Sequence, residues 1–315
     1  MTETTSLAPY LSPDARDARL KAHAVAAGGE VVSIGSSVEG RPLLAARLPQ
    51  LNGAVAATAK VLLAANIHGV EYVSAALALG VLERLVGGGD EATRLRERAE
   101  VWVAPCLNPD GYARVWHDEG KGPIAVLRPN ARGVDLNRNF PLPEGRRRTA
   151  WPGAGSRRLG AATYVGQSPL SEPESAAVAA FCAQKRFAAV LSGHSFMGCV
   201  IPASVRDRAT FRAYRGLCGA IARAQPRYQY RPLSSMSLDT FTGELEDYVH
   251  HHLGGWAVCL ETFPFSASLR QNLFAERLFW RFNPRDPAPF VANDVPGVIA
   301  YFHAALDLGP RAREA

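Results

Sequence analysis

Short apolar runs alternate with longer stretches of helical period along most of this 315-residue chain. Residues 1–30 read as a helical lead-in, with Asp14 as candidate N-cap. Residues 31–35 and 42–48 flank a glycine-containing turn and predict a hairpin. The apolar run 60–65 predicts a buried strand, and a helical pattern follows over about 71–85. Residues 101–106 predict another strand, closed by the turn signal Asn108-Pro109-Asp110-Gly111. Ser171-Glu172-Pro173-Glu174 has the form of a capping box, Ser171 as N-cap and Glu174 at N3, opening a helix to about Lys185. Strands are predicted again over 187–192 and 256–262, and helices over 209–224, 268–282 and 295–308.

Strands that alternate with helices argue for a mainly parallel sheet covered on both faces, hence an α/β fold. No linker-like segment divides the chain, which predicts one domain over 1–315 with a flexible tail at 309–315. Residues 141–163, rich in Pro, Gly and Arg, carry no period; so long a loop in a compact domain is usually functional or mobile.

Composition narrows the picture only slightly. Hydrophobic residues at 47% and charged residues at 20% are those of a globular chain, which excludes extensive disorder. The net charge of +6 is spread along the sequence, and its densest cluster (Arg146, Arg147, Arg148, Arg157, Arg158) reads as a solvated loop. No nucleic-acid partner is expected. Residues 187–205 lack any charged side chain, yet Ser192, Gly193, His194, Ser195 and Pro202 interrupt them. A buried strand running into a loop fits better than a membrane span. Five scattered cysteines without a CxxC pair, and a first segment unlike a secretory signal, predict buried thiols and a cytoplasmic location.

Four segments carry candidate chemistry. Asn66-Ile67-His68-Gly69-Val70-Glu71 stands where a predicted strand gives way to a helix, the place where ligands collect in open α/β sheets. His68 and Glu71 there offer nitrogen and carboxylate oxygen to a metal. His194, in Ser192-Gly193-His194-Ser195 at the end of another apolar run, would complete a His₂Glu set that leaves a fourth zinc position for water. Glu261 ends the apolar run 256–260, where an unpaired acid is costly, and amide hydrolysis needs a carboxylate to carry a proton from water to the leaving amine. Alone, each of these reads equally well as a hydrogen-bonded or salt-bridged strand end. Residues 127–140 (LRPNARGVDLNRNF) hold three arginines, three asparagines and an aspartate; an arginine fork matches a carboxylate, and a second arginine can stabilise an oxyanion.

In this order, together with SVEGRP at 37–42 and the SEPE helix start, these segments resemble the zinc carboxypeptidases of the carboxypeptidase A type, from about Gly40 to Pro264. The resemblance implies a single-domain fold with a mixed, mostly parallel eight-stranded sheet flanked by helices. It implies one Zn²⁺ on His68, Glu71 and His194, with Glu261 as general acid/base. Arg128 would polarise the scissile carbonyl, and Asn137 and Arg138 would grip the terminal carboxylate of a peptide or muropeptide substrate. Counting back from Glu261 puts Glu246 near the specificity pocket, where an acid would favour a basic terminal side chain or the amine of diaminopimelate; alternatively Glu244, Glu246 and Asp247 cap a helix or face water. His250-His251-His252 reads as a solvated helix face. Two departures stand out. Many digestive members carry Arg between the HxxE ligands, where this chain has Gly69 and Val70. At the place of their substrate-covering tyrosine stands Asp239, leaving Tyr248 as the nearest candidate. The readings are therefore a zinc carboxypeptidase, an amidase cleaving γ-D-glutamyl-diaminopimelate, and an inactive peptide-binding scaffold.

Overall fold

The computed structural model describes residues 6–51, 59–150, 153–233, 241–309 and 311. Its first half runs α1 (Pro13–Ala26), β1 (Glu30–Ser36), β2 (Pro42–Leu48), β3 (Ala59–Ala65), α2 (Tyr72–Gly87), α3 (Asp90–Arg98), β4 (Ala99–Ala104), α4 (Pro109–His117) and α5 (Ile124–Leu127). A single turn at Leu136–Arg138 precedes α6 (Pro173–Lys185), β5 (Ala189–Ser195), β6 (Cys199–Pro202), α7 (Arg208–Ala224) and β7 (Arg231–Pro232). The chain then forms α8 (Leu245–Tyr248), a wider helical turn at Val249–Leu253, β8 (Trp256–Thr262), α9 (Phe265–Phe274), α10 (Phe279–Phe282) and α11 (Ala288–Leu308).

The strands make one eight-stranded sheet in the order β1-β2-β4-β3-β5-β8-β6-β7. Its centre, β4-β3-β5-β8, is parallel, and antiparallel pairs flank it. The mixed, mostly parallel α/β sheet is thus the expected one. Side chains alternate between its faces. Val61, Leu63, Leu191, Val258 and Leu260 pack with residues of α1, α2, α7 and α11, whereas Leu62, Val190 and Ala257 pack with residues of α6 and α8. The uncharged stretch after Phe187 is β5 running into β6, and no described helix is long and apolar enough to cross a membrane.

Several local expectations change. Ser12, not Asp14, caps α1, accepting from the Ala15 N–H at 3.2 Å. Asp14 lies in the first turn, where its charge favours the helix dipole. The Asn-Pro-Asp-Gly segment opens a helix instead of closing a strand: the Asn108 side chain accepts from Gly111 N–H at 2.9 Å, and Pro109 supplies a preset φ. The capping box does not form. Glu172 occupies the N-cap, and the buried Glu174 accepts from Val38 N–H (3.1 Å) and Asn130 Nδ2 (3.1 Å). The helix expected over 268–282 breaks into α9 and α10. The His250–His252 run is not a solvated face: His250 is buried against Tyr214, and the His251 and His252 rings meet the Ser204 and Leu142 carbonyls at 2.8 and 3.2 Å.

Candidate metal centre

The carboxyl ends of β3, β5 and β8 lie side by side at the sheet's centre, where the chain crosses from β4 on one side of β3 to β5 on the other. Parallel register puts His194 directly opposite Glu261. Beyond β3 the chain turns at Asn66, whose φ of 51° lies in the left-handed region that asparagine tolerates. Gly69 then passes so close to α4 that a Cβ would come within 2.7–2.9 Å of the Gly111 backbone, and its N–H donates to the Arg128 carbonyl at 2.9 Å. Glycine is required there by contact. Val70 points into a buried cluster with Tyr112, Val115 and Phe279, a place no arginine could occupy uncompensated.

Three ligating groups converge. His68 Nδ1 lies 2.8 Å from one Glu71 oxygen and His194 Nδ1 3.0 Å from the other. One donor atom from each residue falls within 4.8 Å of the rest, and all three side chains are buried. On the far side of His68, Nε2 meets Asp135 Oδ1 at 3.1 Å, while Asp135 Oδ2 accepts from Arg128 Nε at 2.9 Å. That carboxylate assigns the His68 proton to Nε2 and leaves Nδ1 as the ligating atom. Burial alone would raise Glu71 and Asp135, but the imidazoles hold Glu71, and Arg128 with His68 hold Asp135, well below the ordinary carboxylate range. Burial would lower His194, yet Glu71 lifts it to about 9. Two buried imidazoles with one carboxylate are a zinc donor set.

Around this cluster stand the other expected residues. Glu261 has one oxygen without a hydrogen-bond partner among the described residues, and the other is 4.0 Å from Cys259 Sγ. Burial pushes its pKa up to about 7, with Glu71 adding and His194 and Arg128 opposing. Arg128 reaches to 3.9 Å from Glu71. Asn137 is buried; its Oδ1 accepts from Leu245 N–H at 2.9 Å and its Nδ2 lies 3.5 Å from His194 Nε2. Arg138 is paired with Glu244 at 3.0 Å and donates to the Gly153 carbonyl at 3.0 Å. The 141–163 loop returns to it, since Arg148 donates to the Arg138 carbonyl at 3.0 Å.

Glu246 and Asp247 do not face water; both are buried in the first turn of α8. Burial, then the Glu244 charge, raise Glu246 above the ordinary range against the pull of His194 and the Ser192 hydroxyl. The Tyr248 ring packs against Phe140 and His252, with centroids 5.6 and 5.2 Å away. Asp239 lies outside the described residues. Asp135 is the functional residue that sequence reasoning passed over; its signal was an acid held between Arg128 and Asn137.

Fold and donor cluster together define an α/β protein with a buried group of three donors that could hold a metal ion. A profile of the zinc carboxypeptidase family matches residues 27–267. The chain is 39% identical over 132 residues to carboxypeptidase D of Mus musculus, covering 35% of this chain and 10% of that protein. It is 29% identical over 140 residues to carboxypeptidase O of Bos taurus, covering 42% and 36%. The chain thus spans about a tenth of the first relative's length and about a third of the second's. Among solved structures, the carboxypeptidase A of Helicoverpa armigera superposes with a TM-score of 0.75 at 23% identity, covering 95% of this chain and 74% of that one. A metallo-carboxypeptidase from Burkholderia cenocepacia gives 0.66 at 22%, covering 95% and 70%. This chain belongs to the zinc carboxypeptidase family.

Proposed function

We propose that this protein is a zinc-dependent carboxypeptidase that holds one Zn²⁺ on His68, Glu71 and His194. The observation that carries the reading is the convergence of those three donors beside Glu261, a carboxylate with one oxygen unpartnered among the described residues. When bound, the zinc lowers the pKa of its water and so supplies the nucleophile. Glu261, with one oxygen unpartnered among the described residues, can take the proton of the attacking water and hand it to the leaving amine. Arg128, oriented by Asp135, donates to the scissile carbonyl and stabilises the negative charge that gathers there. Arg138 takes the terminal carboxylate, for which its Glu244 partner must give way, and Asn137 braces the His194 side of the site. Glu246 is the candidate specificity residue: a cationic substrate side chain brought against it would supply the counter-charge that lets this buried acid ionise.

The same carboxylate favours a second reading, an amidase acting on γ-D-glutamyl-diaminopimelate, whose free amine Glu246 could pair. A panel of peptides and muropeptides with mass-spectrometric detection of products separates the two. Release of single C-terminal residues from peptides, basic ones preferred, is expected; cleavage confined to muropeptides would transfer the assignment. Glu261→Gln is expected to lose roughly 10²–10⁴ in rate while still binding zinc and peptide, whereas an unchanged rate would remove Glu261 from the chemistry. An inactive wild type that binds peptides as tightly as the variant would mark a scaffold.

A further inference from the structure

The buried stripe of α1 begins with a charge. Positions 16, 20 and 24 recur every four residues and face inward. Leu20 and Ala24 are apolar, but the first of the three is Arg16, which is only 3% exposed. A buried guanidinium is costly unless its donors are met. Asp17 Oδ1 takes the Nε and Nη2 edge, each at 2.8 Å, and the Tyr112 ring lies with its centroid 4.4 Å from Cζ. Nη1 has no hydrogen-bond partner among the described residues. Nothing in the proposed reaction uses this arginine. An apolar side chain there would continue the stripe and leave no buried N–H unmet.

Arg16 lines a cavity of about 180 Å³ between α1, α2, α4 and the start of α11. The α2 wall is one helix face, positions 72, 75, 76, 79, 80 and 83, and its small residues Ala75, Ala76 and Gly80 leave the space. Leu79, Val291 and the Tyr10, Tyr72 and Tyr112 side chains make most of the rest apolar. The three tyrosine hydroxyls donate to main-chain carbonyls: Tyr10 to Pro284 (2.7 Å), Tyr72 to Tyr112 (2.7 Å) and Tyr112 to Leu11 (2.8 Å). The other charged residues of the lining, Arg19 and Glu83, lie 3.5 Å apart, and both reach water. Apolar walls thus enclose one buried cation that still has N–H groups to donate. A cavity of about 150 Å³ is enough for a benzene ring. One ring or branched chain with a single anionic group therefore matches both the space and the unmet donors. None of the metal donors or substrate residues assigned above lines this cavity.

We propose that this cavity is a second binding site, for a small carboxylate with an aromatic or branched apolar body, the carboxylate on Arg16 Nη1 and the body against Tyr72, Leu79 and Val291. The proposal goes beyond the carboxypeptidase reading and stands or falls without it. Phenylacetate is the probe and phenylacetamide its neutral counterpart, both titrated by calorimetry. Arg138 is proposed to hold a substrate carboxylate, so every titration uses Arg138→Met protein, which lacks that competing seat. Phenylacetate should bind with a Kd of about 1 mM or tighter, the range for a ligand of about ten heavy atoms. The amide should bind about tenfold more weakly, because it forgoes a charge-assisted hydrogen bond. Adding Arg16→Met should weaken phenylacetate about tenfold or more. Adding Ala76→Leu instead fills the cavity, leaves Arg16 in place and should weaken it as much, which keeps the test readable if Arg16→Met does not fold. Absence of phenylacetate binding overturns the proposal. So does equal binding of the amide, or an affinity that Arg16→Met or Ala76→Leu leaves unchanged.

Discussion

Asp135 touches nothing that reacts, yet it faces both His68 and Arg128 from one fully buried carboxylate. Replacing it with Asn keeps the shape but removes the charge that orients the imidazole and the guanidinium. Zinc affinity of Asp135→Asn is expected to fall about 10–100-fold, with kcat falling as well because Arg128 loses its anchor. Titration against a competing chelator measures the first effect, and an unchanged affinity would deny Asp135 any part in ordering His68. The proposed ligand histidines and general base contrast with it. His68, His194 and Glu261 each end an apolar run, and a polar group at the end of a buried strand stands out against its neighbours. Asp135 sits in a polar segment where one more acid changes no pattern. Asn137 was legible as a member of the same motif, but its bonds to Leu245 and His194 depend on α8 and β5, which lie far along the chain.

Elements were legible where a period or an apolar run was long. The strands over Pro42–Leu48 and Trp256–Thr262 coincide with their expected bounds because the largely buried apolar runs Leu43 to Ala46 and Trp256 to Leu260 mark them. Caps were not, because a local acid can be claimed by a distant partner. Asp110 serves Ser37, Glu39 N–H and Arg41 instead of a turn, and Glu174 serves Val38 and Asn130 instead of its own helix. The histidine run misled for the same reason: its wide turn at Val249–Leu253 drives His250 into the protein, where Tyr214 Oη lies 2.7 Å and an Arg311 nitrogen 2.6 Å from its Nδ1. Burial first, then the Arg311 and His251 charges, lower its pKa from 6.5 to about 2. The folded state therefore keeps it neutral while the unfolded chain takes up a proton below about 6.5. Its stability contribution is complete above that pH and is lost as pH falls from 6.5 towards 2, at about 1.4 kcal/mol per pH unit. His250→Gln, which still offers an oxygen to Tyr214 and Arg311, should remove this component. Buried carboxyls raised by burial (Glu246, Asp247, Asp294) change stability in the opposite sense but equally in both proteins. Urea denaturation of wild type and variant between pH 7.5 and 5 reads the difference, and identical slopes would exclude it.

At the scale of the molecule, the central parallel strands followed from strand–helix alternation, whereas the antiparallel far edge did not. β6 and β7 have four and two residues, too short to carry a period; β6 pairs antiparallel with β8, and β7 adds in parallel to β6. This architecture also decides how the protein responds to losing the proposed ion. The donors come from the ends of β3 and β5, two strands already held together by five residues of parallel register and by apolar packing on both faces. Chelation should therefore leave a folded protein with unchanged secondary structure at 25 °C, unlike small zinc domains whose fold depends on the ion. The ion still binds only the native state. A free concentration about a thousandfold above its Kd adds about 4 kcal/mol, which for a chain of this length raises Tm by about 5–10 °C. Thermal unfolding followed by circular dichroism, with chelator and then with zinc restored, measures that shift. Collapse of the far-ultraviolet signal on chelation would show that packing around β3 and β5 cannot hold the fold alone. A Tm indifferent to zinc would mean that His68, Glu71 and His194 balance one another's charge and bind no metal.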